Sequence, residues 1–185
     1  MVQMNPCFLA EIAQEFLRHG SELGADSTDR GTSVVQKGVS ILEKLNNKCP
    51  GLVNVQMALA NAKYVTSDLE AATRTANTVL SMDKGNAEAH LLLARIGLDR
   101  GHYGAASSSL EEALSHDFSI RQRPVYHLIK AKTLERSGDL NEAQSVLEGA
   151  MKQYNRGKHA KAVPLHDHAS LYIQLAQVRM EAHSA

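Results

Sequence analysis

Tryptophan is absent from this 185-residue chain, and phenylalanine and tyrosine supply only three and five residues. That scarcity, beside an abundance of Ala, Leu, Glu, Lys, Gln and Arg, points to helices. Net charge is also missing: 20 basic residues face 20 acidic ones. A duplex-binding protein needs surplus cations to replace phosphate counterions, so nucleic acid is not an expected partner. No apolar run approaches the ~18 residues that would cross a bilayer, which leaves no expectation of membrane insertion. The opening residues, Met1, Val2, Gln3, Met4, Asn5 and Pro6, lack a basic region leading into an apolar stretch, so no signal peptide is expected. Cys7 and Cys49 are the only cysteines and stand far apart, a usage that fits reduced thiols inside a cell.

The enzyme motifs are missing too. No glycine-rich phosphate loop, nucleophile elbow or His-Glu-x-x-His pattern is found, so neither a catalytic residue nor a cofactor is expected. The densest histidine cluster is His166, Asp167 and His168, with His159 nearby. Imidazoles two residues apart point to different sides of a helix, and tetrahedral zinc needs further ligands at short spacing. No metal site is expected.

What the chain does contain is a repeat. Ala60, Ala94 and Ala131 are each followed twelve residues later by another alanine, Ala72, Ala106 and Ala143. Ala76, Leu110 and Leu147 come next, then Val79, Ala113 and Ala150. The first and second sets are offset by 34 residues, the second and third by 37. The pairs Ser67-Asp68, Gly101-His102 and Gly138-Asp139 fall at one phase of this repeat and mark a tight turn. Each unit therefore reads as two antiparallel helices. In the third, helix A is predicted near residues 87–100 and helix B near 103–115, with Gly101 supplying the positive φ between them. Ala94 and Ala106 are placed where the two helices cross, and Leu93, Leu110 and Leu114 fill the apolar face around them. A hairpin cannot bury that face alone, so it stacks on its neighbours.

This is the tetratricopeptide pattern, and the expected fold is all-α: an α-solenoid of tetratricopeptide-repeat helical hairpins in a right-handed superhelix. Positions that are usually aromatic hold Lys63, Gly97 and Leu134. The expected units are about 1–52 with an inserted loop at 20–32, 53–86, 87–123, 124–164 with an inserted loop at 153–163, and a half unit at 165–185. In the first unit Leu9, Ile12, Ala13 and Phe16 make helix A, and Gly38, Leu42 and Leu45 make a helix B closed by Pro50. In the last, Tyr172, Leu175 and Ala176 open a helix A with no helix B after it, the expectation for a segment of something longer.

Charge is uneven along the chain. Residues 1–120 carry 10 basic and 14 acidic residues, whereas 121–161 carry 9 and 4. That arrangement suits protein docking, and a solvated basic face is its plainer reading. Clamps that seize a C-terminal carboxylate resemble one another in a set of Lys, Asn and Arg on three A helices. Here those positions hold Met57, Asn61, Leu92, Val125 and Ile129, so only Asn61 matches. In this repeat class the A helices line the concave surface. The candidate partner-binding groove is therefore Met57, Asn61 and Tyr64, then Leu91, Arg95 and Leu98, then Leu128, Lys132 and Glu135. With Arg95 and Lys132 as its cations, that row suits a segment carrying acidic residues. Leu91 and Leu128 could instead pack between repeats.

Residues 89–95 (AHLLLAR), 114–131 (LSHDFSIRQRPVYHLIKA) and 50–72, with PGL at its start and a later DLEAA, go beyond any repeat consensus. They resemble the tetratricopeptide repeat protein 21 family, the large tetratricopeptide-repeat subunit of intraflagellar transport complex A. The three-residue insertion before Pro124 gives that stretch its peculiar spacing. The resemblance implies a non-catalytic scaffold of the particle that moves cargo back along cilia, in cytoplasm and cilium or flagellum. It implies other protein subunits as partners, those of the transport A particle among them, and no small-molecule substrate. A free-standing tetratricopeptide adaptor that captures short peptide segments is the alternative.

Overall fold

The computed structural model describes residues 5–23, 30–156 and 165–184. Among them the chain forms α1 (Pro6–Leu23), α2 (Arg30–Lys48), α3 (Val53–Val65), α4 (Leu69–Met82), α5 (Ala87–Asp99), α6 (Tyr103–His116), α7 (Pro124–Ser137), α8 (Leu140–Arg156) and α9 (Leu165–Ser184). A single 3-10 turn, Phe118–Gln122, joins α6 to α7. No strand occurs among the described residues, and none of their helices is long and apolar enough to cross a membrane.

Three of the turns between helices are built alike, at the three positions picked out by the repeat. Ser67, Gly101 and Gly138 have φ of 62°, 75° and 88°. The amides of Ser67, Gly101 and Gly138 donate to the carbonyls of Tyr64, Leu98 and Glu135. The amides of the next residues, Asp68, His102 and Asp139, reach back to Lys63, Gly97 and Leu134. This left-handed cap satisfies carbonyls that the end of a helix leaves without partners. Asp68 then caps the following helix, its carboxylate accepting from the Ala71 amide at 3.0 Å.

The twelve repeat positions are all buried. Ala60, Ala94, Ala131, Ala72, Ala106, Ala143, Ala76, Leu147, Val79 and Ala113 show no exposed surface, and Ala150 and Leu110 show 1% and 6%. Small side chains at these sites let backbones approach closely. At the α5–α6 crossing the residue facing Ala106 is Gly97, where an added Cβ would lie 3.2 Å from both Ala106 Cβ and Ala106 N. A glycine at this usually aromatic position suits the close crossing, where even a methyl group would need Ala106 to give by a few tenths of an ångström.

Two compact units divide the chain, Met1–Leu92 and Leu93–Ala185. In the first, Ala10, Ala13 and Leu17 of α1 pack with Val35, Leu42 and Leu45 of α2 and Val55, Ala58, Leu59 and Ala62 of α3. In the second, Ala131 of α7 packs with Ala143, Leu147, Ala150 and Tyr154 of α8 and Leu171, Leu175 and Val178 of α9.

Several expectations are corrected. Of the loop expected at 20–32, residues 20–23 belong to α1, which continues to Leu23, and residues 30–32 to α2, which begins at Arg30; residues 24–29 lie outside the described residues. Gly20 does not end α1, since one helical glycine costs only about 1 kcal/mol. Phe16 is 37% exposed, and Leu17 takes the core position instead. Of the loop expected at 153–163, residues 153–156 belong to α8, which runs to Arg156; residues 157–164 lie outside the described residues. Tyr154 is the physical reason, being buried at 2% exposure with its hydroxyl donating to the Gln122 carbonyl at 2.7 Å. α9 begins at Leu165, seven residues before Tyr172. Its core stripe is Leu171, Leu175 and Val178, while Tyr172 and Ala176 are exposed.

Candidate interaction surface

Side chains three and four residues apart share one face of a helix. On α7 that rule groups Lys132, Glu135 and Arg136; on α9 it groups Gln177, Met180 and Glu181. Together with Leu98 of α5 and Tyr103 of α6, these six residues line a cleft of about 280 Å³ in the second unit. Its apolar side is Leu98, the ring of Tyr103 and the thioether of Met180, which is 70% exposed. The Arg136 guanidinium lies 5.7 Å from the centre of the Tyr103 ring, within cation–π range.

The polar side is built around Glu135. Gln174 is 3% exposed, and its amide Nε2 donates to the Glu135 carboxylate, which fixes that side chain in the cleft. Burial pushes the Glu135 carboxyl above the ordinary carboxylate range, and the Glu181 charge beside it pushes the same way. The Gln174 bond and the Arg136 charge act in the opposite direction without cancelling the rise.

A second feature is the 3-10 turn, where the spacing of the repeat grows from 34 to 37. Asp117 opens it, accepting from the Ser119 amide and hydroxyl at 2.9 Å each; these bonds hold its carboxyl below the usual range. Ile120 is fully buried beneath the turn, and Phe118 is 67% exposed with Arg121 placed 5.8 Å from its ring centre. His127 lies edge-on to Tyr126 and Tyr154. Its Nε2 is buried without a hydrogen-bond partner, and burial pushes its pKa below 6.5 while a bond to the Arg121 backbone opposes that shift.

Of the nine groove residues expected from sequence, Leu98, Lys132 and Glu135 line the cleft. Met57, Asn61 and Tyr64 are half-buried on α3 in the first unit, and Arg95 is half-buried on α5. Leu91 is 5% exposed, and Leu128 is half-buried against the α7–α9 core. Leu92 and Ile129, two of the clamp positions, are likewise buried. The sequence reading missed Tyr103, Arg136, Gln177, Met180 and Glu181. Helical periodicity carried forward from Gln174 would have found Gln177 and Glu181. The histidine cluster yields no geometry, because His159 lies outside the described residues and the side chains of His166, Asp167 and His168 are not described.

Residues 1–101 match the family model described as the second ARM domain of tetratricopeptide repeat protein 21, and residues 118–185 match that described as its ARM repeat. Tetratricopeptide repeat protein 21B of Xenopus laevis is 31% identical over 182 residues, covering 95% of this chain and 14% of that protein. The Mus musculus protein 21B is 32% identical over 184 residues, with the same two coverages. The tetratricopeptide repeat protein 21 homolog of Caenorhabditis elegans is 34% identical over 112 residues, covering 60% of this chain and 8% of that one. The chain thus spans about a seventh of the length of the vertebrate relatives. Among solved structures, a thermophilic TPR protein in Thermus thermophilus superposes with a TM-score of 0.56 at 14% identity, covering 93% of this chain and 97% of the other. MamA MSR-1 C2 does so with a TM-score of 0.53 at 16% identity, covering 94% and 99%. These likenesses establish a helical-repeat fold of the tetratricopeptide kind.

Proposed function

Because the chain belongs to the tetratricopeptide repeat protein 21 family, we propose that it is a non-catalytic protein–protein interaction scaffold, a segment of a subunit of the intraflagellar transport A particle. Its helices pair as units 1–52, 53–86, 87–123 and 124–164, with α9 opening a further one. Such a segment acts in retrograde ciliary transport and cilium assembly, in the cytoplasm and the cilium, by holding other protein subunits. The observation that carries the scaffold reading is the burial of all twelve repeat positions. Alanine, leucine and valine are used up in stacking hairpins, which leaves exposed A-helix side chains as the surface for partners. The α5–α7–α9 cleft is the docking surface we assign.

The test is expression of the tagged chain in ciliated cells, with quantitative mass spectrometry of what co-purifies. Other subunits of the transport A particle are the expected catch. If none is enriched over a tag-only control, the assignment to that particle fails. The existence of a bounded cleft with both apolar and charged walls favours one further reading, an adaptor that takes up short peptide segments. An adaptor would recover peptide-bearing clients in place of the particle's subunits.

A further inference from the structure

The charges of the α5–α7–α9 cleft are not arranged for the acidic segment that Arg95 and Lys132 suggested. Arg95 does not line it; the cations that do, Lys132 and Arg136, are both exposed, and Arg136 is engaged with the Tyr103 ring. The carboxylate of Glu135 is the group held in place from below, by an amide that is itself almost wholly buried. Glu181 of α9 lines the same cleft, and its charge acts on Glu135. An acidic side chain entering the cleft would add a third carboxylate at short range.

We propose that this cleft seats a partner-protein segment through one arginine or lysine side chain, docked between Glu135 and Glu181, with apolar residues beside it on Leu98 and Met180. The proposal rests on the scaffold reading above and gives the chemistry of its docking surface. A guanidinium or ammonium there replaces carboxylate repulsion with charge-assisted hydrogen bonds, which are the stronger kind. The apolar wall covers the stem of the incoming cation, as such stems prefer. Lys132 and Arg136, which also line the cleft, leave its carboxylates no room for more than one further cation, so it selects a single basic residue flanked by apolar ones over a polybasic run.

Two tripeptides test this against the whole chain labelled with nitrogen-15: acetyl-Leu-Arg-Leu-amide and its acetyl-Leu-Glu-Leu-amide twin, titrated at ~150 mM salt, where long-range attraction is screened. The arginine peptide should shift α7 and α9 amides around Glu135 and Glu181 saturably. The glutamate twin should bind roughly tenfold more weakly, the loss expected of one charge-assisted contact. Glu181→Gln should abolish that preference without lowering the melting midpoint, since it removes a like-charge neighbour. Glu135→Gln serves as the second variant. Equal shifts of the same amides by the glutamate peptide, or an unchanged preference in both variants, would overturn the basic-anchor chemistry while leaving the cleft as a docking surface. If neither peptide moves any α7 or α9 amide, the assignment of the cleft as a docking surface falls with it.

Discussion

Replacing Ala106 by leucine probes the packing on which the hairpin depends. Ala106 has no exposed surface, and across the crossing it meets a glycine whose added Cβ would come within 3.2 Å of its own Cβ and backbone nitrogen. An isopropyl group added to the Ala106 Cβ therefore meets a helix backbone rather than the flexible end of a side chain. Overpacking of this kind costs about 1–3 kcal/mol, and a backbone that cannot yield argues for the upper part of that range. At this chain length each kcal/mol lowers the melting midpoint by roughly 2–4 °C. Because stacked units share interfaces, amide exchange should accelerate in α5, α6 and α7 together. Gly97→Ala supplies the control: its helix-propensity gain of about 1 kcal/mol opposes a milder contact, so the net change should be close to zero. Exchanging the two, with Ala106→Gly and Gly97→Ala together, keeps the volume at the crossing and should behave additively only if the residues do not touch. Thermal melts and chemical denaturation read all three. An unchanged midpoint in Ala106→Leu would remove Ala106 from the crossing and with it the reason given for Gly97.

Ser67 holds a left-handed φ of 62° where the two equivalent turns use glycine, so Ser67→Gly should raise stability by roughly 0.5–1 kcal/mol in denaturant titrations. A loss would mean that the Ser67 side chain contributes more than the strain costs. The pKa of His127 is depressed in the fold, so the unfolded chain binds the extra proton as pH drops through 6.5. Its contribution is complete above pH 6.5 and declines below it; the fall in melting midpoint between ~pH 7.5 and ~5.5 should be smaller in His127→Gln than in the parent. Equal pH slopes in the two proteins would refute that burial of the neutral ring. Tyr154→Phe removes the bond to the Gln122 carbonyl and should cost about 0.5–1.5 kcal/mol, with faster amide exchange confined to the 3-10 turn and the end of α8. Exchange rates there that match the parent would show that the turn is held by Ile120 alone.

The hairpins were legible because their physics is local and repeated. Left-handed turns tolerate few residues, so Gly101 and Gly138 stand out in the sequence, and Ser67 is found only because the repeat points to it. Alanine at a helix crossing is legible for a similar reason: three copies at a fixed offset are improbable unless space requires them. Gly97 was not read this way. Set against an aromatic consensus it looked like a departure, and only the approach of Ala106 identifies it as the other half of the crossing. Polar composition alone does not mark the ends of α1 and α8. Polar residues sit equally well on the exposed side of a helix, and the bond from Tyr154 back to Gln122 that anchors α8 is a tertiary fact.

The cleft was half legible. Counting offsets along A helices located Leu98, Lys132 and Glu135, because those offsets follow from helix geometry alone. Their combined charge could not be read from single helices. Whether Glu135 stands as a neutralised partner of Lys132 or Arg136, or as a carboxylate seeking another cation, depends on what α9 brings against it. α9 brings Gln174, which orients the carboxylate, and Glu181, which repels it. Both come from a helix in which the sequence picks out Tyr172, Leu175 and Ala176, and of these only Leu175 lies on the buried stripe. With Leu171, Leu175 and Val178 as the buried stripe, Gln174 is the one polar residue of α9 known to be buried beside that stripe. A buried amide needs a partner, and Glu135 is the partner it has. The sign of the preference we propose for the cleft therefore follows from the inward face of α9, which brings an amide and a carboxylate, rather than a cation, toward Glu135.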